Sequence, residues 1–236
     1  MKLSRLVLPL ALIAAALLLI AGPGSRVGWW DFRAGFDLMK WASFAGVTAA
    51  VLALIALLVP RLRRAGAGML VLALAIGLGV AYVPWQGMRT AKSVPPIHDI
   101  TTDTAQPPAF VAILPLRKDA SNPSDDPGAE VADQQRAAYP ELQPLRLDDN
   151  PQTAFDRAVK AAEAMGWEMV AADAASGRIE ATDTTFWFGF KDDVVVRVAP
   201  DGAGSVVDVR SVSRVGQSDV GKNASRIRAY LKQLGG

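Results

Sequence analysis

The sequence predicts an α+β protein in two parts: an N-terminal three-helix transmembrane bundle, then an antiparallel four-or-five-stranded sheet packed with two helices. Three observations predict it. The 236 residues are 51% hydrophobic with a mean hydropathy of +0.22, high for a soluble domain of ordinary composition. The charge is split, with eight Lys or Arg against two Asp before Pro84 and 17 against 21 from Pro84 onward. Beyond residue 150 a helical period gives way to a strand period and then returns.

Charge-free stretches run from Leu6 to Ser25, Trp41 to Pro60 and Ala65 to Met88. Each reaches the roughly 20 apolar residues, at about 1.5 Å apiece, that a bilayer-crossing helix needs. The third is expected to end near Val83, before Pro84-Trp85. Lys2 and Arg5 precede the first span, and Arg61, Arg63 and Arg64 link the second to the third, which makes both segments cytoplasmic by the positive-inside rule. The link from Gly22 to Asp37 balances Arg26 and Arg33 against Asp31 and Asp37 and faces outward. Its Trp29, Trp30, Phe32 and Phe36 suit an aromatic belt at the headgroup level. A cleaved signal peptide is the alternative for the first span, although Leu19 at −3 from a cut at Ala21 fits the small-x-small rule poorly. Either way residues 85–236 are exported. Gly66, Gly68, Gly77 and Gly79, with Ala73 and Ala75, give the third span small-xxx-small spacings that permit close helix contact, expected within the bundle rather than between two copies. The spans lack Asp, Glu, Lys, Arg and His, which argues against an ion or proton pathway.

Residues 1–84 are thus a three-span region, 85–149 a proline-rich arm belonging to the exported part, and 150–236 its α+β core. The arm carries Pro95-Pro96, Pro107-Pro108, Pro123, Pro127, Pro140 and Pro144 and is expected to be mostly irregular, with one candidate strand at Phe110–Leu116 and a short helix at Glu130–Ala138. In the core, Asn150 caps a helix with Pro151 at its first position and Phe155, Ala158, Val159, Ala162 and Met165 on one face. Strands follow at Trp167–Ala172, Arg178 to about Phe190, Val194–Ala199 and Ser205–Val215, with turns at 173–177, at Lys191-Asp192-Asp193 and at Asp201-Gly202. A last helix starts near Ser218, with Asp219 in its first turn and Val220, Ala224, Ile227, Leu231 and Leu234 as its apolar stripe. Both helices are expected on one sheet face.

The run Phe188–Arg197, the longer run Val207–Ile227, the segment Ile97–Asp103 and Tyr139-Pro140 together resemble the family called domain of unknown function 1499, over roughly residues 97–234. That resemblance implies a small exported or membrane-tethered bacterial domain, a boundary near residue 95 and one domain after it. It supplies no established activity.

With no cysteine and one histidine, the chain has no disulfide, thiolate metal site, cysteine nucleophile or multi-histidine centre, and no cofactor is expected. The acidic exported part argues against nucleic acid. Strand alternation places Asp208, Arg210 and Arg214 on one face and Val207, Val209 and Val215 on the other. Two readings of the constellation Arg197, Asp208, Arg210, Ser213, Arg214, Asp219, Asn223 and Arg226 stand side by side. One is an ion-pair network that fixes the fold; the other is a site where Arg210, Arg214 and Arg226 hold a carboxylate or phosphate beside a helix N-terminus. A third reading is a hydrolase with His98 as general base, oriented by Asp99 or Asp103, and Ser211 or Ser213 as nucleophile. Asp192 and Asp193, like Asp125 and Asp126, are weak calcium candidates without the spacing of a calcium loop. Trp187, in the run Phe186–Phe190, is placed to meet a span, lipid or a partner. The expectation is a binding or scaffolding module of the bacterial inner membrane with a periplasmic domain. Its partners are the lipid bilayer and either another envelope protein or a small anionic ligand.

Overall fold

A computed structural model describes residues 4–63 and 66–235. Lys2 and Arg64 lie outside them. The chain divides into two compact units, residues 1–90 with Phe186–Gly189, and residues 91–185 with 190–236.

The first unit contains α1 (Ser4–Arg26), α2 (Phe32–Leu58), the single turn α3 (Pro60–Arg63) and most of α4 (Ala67–Ser93). Three of these helices are long and apolar enough to cross a membrane: Leu6–Arg26, Phe32–Leu58 and Ala67–Ser93. The second begins nine residues ahead of the charge-free stretch because Asp31 caps it, accepting a hydrogen bond from the Arg33 amide. The expected stop at Val83 is not observed, and α4 continues through Pro84 to Ser93. Proline withdraws one donor from the ladder, yet its fixed φ is helical, and spanning helices tolerate it because neighbouring groups satisfy the freed carbonyl. Small residues make the interior: Ala11, Ala49, Ala53, Ala56 and Ala73 are buried. At Gly77 a Cβ would stand 2.4 Å from the Gly46 carbonyl oxygen, so α2 and α4 touch backbone to backbone there.

The second unit is built on a six-stranded antiparallel sheet. Its strands are β1 (Asp99–Thr101), β2 (Leu145–Leu147), β3 (Glu168–Asp173), β4 (Arg178–Thr184), β5 (Lys191–Asp201) and β6 (Gly204–Ser213), in the order β1-β6-β5-β4-β3, with β2 also on β6. The hairpin series β3 to β6 follows the strand-period pattern, whereas β1 and β2 come from the arm. The arm also supplies α5 (Ala129–Ala138), and Phe110–Leu116 forms a turn entering a 3₁₀ helix at Leu114–Arg117 rather than a strand. Between α5 and the hairpins, α6 (Pro151–Ala164) is capped by Asn150, whose Oδ1 accepts from the Thr153 amide at 3.1 Å. The last helix is α7 (Lys222–Gly235). Both α6 and α7 cover one face over Ile179, Ala181, Val194, Val196, Val198, Val207 and Val209, and Trp167 stacks on Tyr230 at 5.0 Å.

Two further boundaries differ from the sequence expectation. The turn expected at Lys191–Asp193 lies at Thr185–Phe190, and Asp192 and Asp193 sit inside β5, in register with Ser213 and Val212. An acidic pair has turn composition, but here each carboxylate meets an arginine. The final helix starts four residues late. Val220 and Gly221 take φ values of +55° and +78°, and the Lys222 amide closes the turn on the Asp219 carbonyl at 3.1 Å. Val220 therefore precedes the apolar stripe, and Tyr230 joins it.

Candidate functional site

Strand alternation puts Arg178, Glu180, Thr182, Asp193, Val195, Arg197, Asp208, Arg210, Val212 and Asp99 on the sheet face opposite the helices. What covers this face is the arm, residues 102–126. Helices satisfy their own backbone groups; irregular chain does not, and every buried amide and carbonyl needs a partner. The sheet supplies them from side chains. Glu180 is fully buried and accepts from the amides of Val111, Ala112 and Ile113 at 2.9–3.0 Å, with Arg178 as its counter-ion at 3.0 Å. Arg210, 2% exposed, grips Asp99 through two bonds of 2.9 and 2.6 Å and donates to the carbonyls of Pro108 and Asp125 at 3.2 and 2.7 Å. Arg214 grips Asp193 through bonds of 2.9 and 2.8 Å and donates to the Leu116 carbonyl. Arg117 completes that pair from the arm side and donates to the Asn122 carbonyl.

Arg197 lies at the open end of this face. It bonds Asp208 and Asp103, at 2.7 and 2.9 Å, and the Gln106 carbonyl at 3.1 Å. Burial opposes its charge, but the two carboxylates outweigh burial and hold its pKa above the usual arginine value. Asp103 also lines a cleft of about 240 Å³ between the loop 102–105, Gln135 and Arg136 of α5, Tyr139 and the segment 142–144. Arg136 reaches the same loop through the Thr104 hydroxyl at 2.8 Å. Gln135, buried, pairs with the amide and carbonyl of Thr101 much as a neighbouring strand would.

A second polar cluster lies on the helix face, where β4, β5 and β6 meet the start of α7. Arg226 bonds Asp183 at 2.7 Å, Asp192 at 2.6 Å, the Ser211 hydroxyl at 3.1 Å and the Asn223 side-chain oxygen. Ser211 donates to Asn223, whose amide nitrogen donates to the Ser213 hydroxyl at 3.0 Å and the His98 carbonyl at 2.8 Å. Asp219 accepts from the amides of Gly221 and Asn223 and so caps α7 with its own carboxylate. Burial raises its pKa, and those two amides only partly offset the rise.

The eight residues singled out in the sequence thus divide. Arg197, Asp208, Arg210 and Arg214 belong to the arm-covered face, while Ser213, Asp219, Asn223 and Arg226 belong to the helix-covered face. Arg210, Arg214 and Arg226 do not converge, and each already holds a carboxylate. The carboxylates of Asp192 and Asp193 point to opposite faces. The His98 ring lies 3.2 Å from the Gln217 carbonyl through Nδ1. Asp99, its neighbour in sequence, is turned to the other face by strand alternation and bound to Arg210. Sequence reasoning missed Glu180, Asp183 and Arg117. Only Glu180 carried a signal, alternating with Ile179 and Ala181 inside a strand; its partners are backbone amides 67 to 69 residues away, which no local pattern marks.

A family model described as "Protein of unknown function (DUF1499)" matches residues 99–234, more than half of the chain. No curated protein matches the sequence.

Proposed function

The chain belongs to this family of proteins of unknown function, and from that premise we propose a non-catalytic, membrane-anchored binding or scaffolding module of the bacterial cell envelope. Three spans lie in the inner membrane and the residues after them in the periplasm. The orientation follows from charge. Arg61 and Arg63, with Arg64, form a short cationic link, Lys2 and Arg5 precede the first span, and the other link is balanced. An odd number of crossings puts the two ends of the chain on opposite sides.

One observation carries the binding reading: the Asp/Arg constellation reaches solvent at Arg197–Asp103, where Asp103 also lines the 240 Å³ cleft. The Arg197 side chain is 33% exposed, whereas that of Arg210 is 2% exposed. Arg136, which also pairs with Asp133, is the cation of the cleft lining and the group that would hold a small anionic ligand there, across from the Asp103 carboxylate. The groups a hydrolase would employ are engaged elsewhere, Ser211 and Ser213 with Asn223 and the His98 ring with the Gln217 carbonyl. Native mass spectrometry of the full chain released from lipid nanodiscs tests the reading. A small anionic adduct is expected on the wild type and is expected to be lost from Arg136→Ala. Bare masses for both proteins, or an adduct that survives Arg136→Ala, would remove the cleft as the recognition site.

A further inference from the structure

We propose that the loop Phe186–Gly189, joining β4 to β5, is an interfacial membrane anchor that buries Phe186 in the lipid headgroup region at the end of the first span. All four residues belong to the first compact unit, together with the apolar helices. Two observations fix the depth of the loop. Arg26, the last residue of the first candidate span, donates from Nη1 to the Phe186 carbonyl, and its guanidinium lies 5.8 Å from the Phe186 ring centre. Trp187 goes further in. A Cβ on Gly22 would stand 2.4 Å from the Trp187 ring, so glycine is required for this close approach, and Trp187 packs against the cluster of Ala14, Leu18, Ala42 and Val80. Gly22 is four residues inside Arg26, about 6 Å along the helix axis.

A loop that places one aromatic a full turn inside the end of a span holds its neighbour level with that end, where Arg26 bonds the Phe186 carbonyl. Phe186 is nonetheless 89% exposed, the most exposed of the large apolar side chains described. Protein does not cover it, and at the end of a span the surrounding medium is the headgroup region. The surroundings agree. Trp29 is 72% exposed at the same end of α1, and Trp30 folds back to donate from its indole to the Ala21 carbonyl at 3.1 Å. Phe186 extends this aromatic belt with a residue about 160 positions downstream. The occupant is the bilayer interface itself, continuous with the lipid around the spans, and the proposal rests on reading the three helices as spans.

The chain lacks cysteine, so a single introduced thiol is unique. Spin labels attached to Phe186→Cys and Ile13→Cys in the full chain, reconstituted in phosphatidylcholine/phosphatidylglycerol nanodiscs, report depth by power saturation with oxygen, which concentrates in lipid, and with a water-soluble nickel chelate. Both side chains are exposed in the fold, so neither substitution removes core packing. The oxygen-to-nickel accessibility ratio at 186 is expected to be several-fold above that of free label in buffer and below that at 13. A ratio at 186 equal to free label, with 13 reading lipid, overturns the loop anchor and leaves the spans standing. Buffer-like ratios at both positions overturn the spans and the anchor together.

Discussion

The two faces of one sheet are held down in different proportions of the same chemistry: mostly apolar under α6 and α7, with one ion-pair cluster at the start of α7, and mostly ion-paired under the arm. Under α6 and α7 the sheet presents Ile179, Ala181, Val194, Val196, Val198, Val207 and Val209; under the arm the same strands present Glu180, Asp193, Asp208 and Arg210, all buried. The difference follows from what lies on top. A helix arrives with its backbone satisfied and docks mainly through an apolar stripe, as α6 and α7 do apart from Asn223 and Arg226. An irregular segment arrives with open amides and carbonyls, and side chains of the sheet take the place of a ladder: Glu180 for three amides, Arg210 for two carbonyls and Arg214 for one. The arm-side charges are part of the architecture because the arm is not regular structure.

The comparison breaks most directly at Glu180. Glu180→Leu is close in size but takes the acceptor from the amides of Val111, Ala112 and Ile113, the last of them buried, and removes the nearer of the two carboxylates beside Arg178. A loss of about 3–5 kcal/mol is expected, the scale for removing one partner of a buried charged set. On the other face Ile227→Ala, at a residue with no exposure, is expected to cost about 2–4 kcal/mol through cavity formation. The two variants should also fail differently. Limited proteolysis of Glu180→Leu should cut within residues 105–128 below the global unfolding temperature, while Ile227→Ala should lose all protection at one temperature. Equal protection of the arm in both variants would mean that apolar contacts of Phe110 and Ile113 with Val195 and Val212 hold it, and not the side-chain ladder.

The same contrast marks how far sequence alone reaches. The apolar face was legible because strand and helix periods are local: Phe155, Ala158 and Ala162 on α6, and Ala224, Ile227 and Leu234 on α7, fall where spacing puts them. So was the alternation of Asp208 and Arg210 against Val207 and Val209. The partners of those charges were not legible. Asp99 reaches Arg210 across 111 residues and Arg117 reaches Asp193 across 76, and irregular chain has no period to announce what it covers. The turn at Lys191–Asp193 was misplaced for the same reason, since a buried acidic pair and a solvated one have identical composition. The end of α4 was misplaced because Pro84 stops a helix only when nothing else sustains it.

A smaller effect is expected at Val220, where β6 hands over to α7. A β-branched residue at φ +55° is an outlier, and the left-handed region costs about 1–2 kcal/mol for a residue with a Cβ. Asparagine visits that region far more readily. Val220→Asn is expected to raise stability by about 1 kcal/mol, a rise of a few degrees in the thermal midpoint of the full chain. A fall of similar size would show that packing of the half-buried valine outweighs its backbone strain and that this junction depends on apolar contact like the rest of the helix-covered face.

Next to it, Asp219 gives the smallest effect and the sharpest contrast with the arm-side carboxylates, which are held by arginine. Burial raises its pKa first of all; the Gly221 and Asn223 amides lower it, Asp192 raises it and Arg226 lowers it, and the net is a rise above the ordinary value of 3.8. The folded state therefore binds the Asp219 proton more tightly than the unfolded chain. Over the interval from 3.8 up to the folded value the native protein carries more protons, so this group's contribution to stability falls as pH rises and is lost above that interval. Asp219→Asn, which cannot titrate, removes the slope. The difference in thermal midpoint, wild type minus Asp219→Asn, is expected to be most favourable to the wild type at and below pH 3.8, to decline as pH rises above it, and then to level off. A difference that grows with pH instead would mean that the ionised carboxylate, bonded to two amides at the start of α7, is the form the fold prefers, and that Asp219 joins the ionised Asp183 and Asp192 beside Arg226 on the helix-covered face.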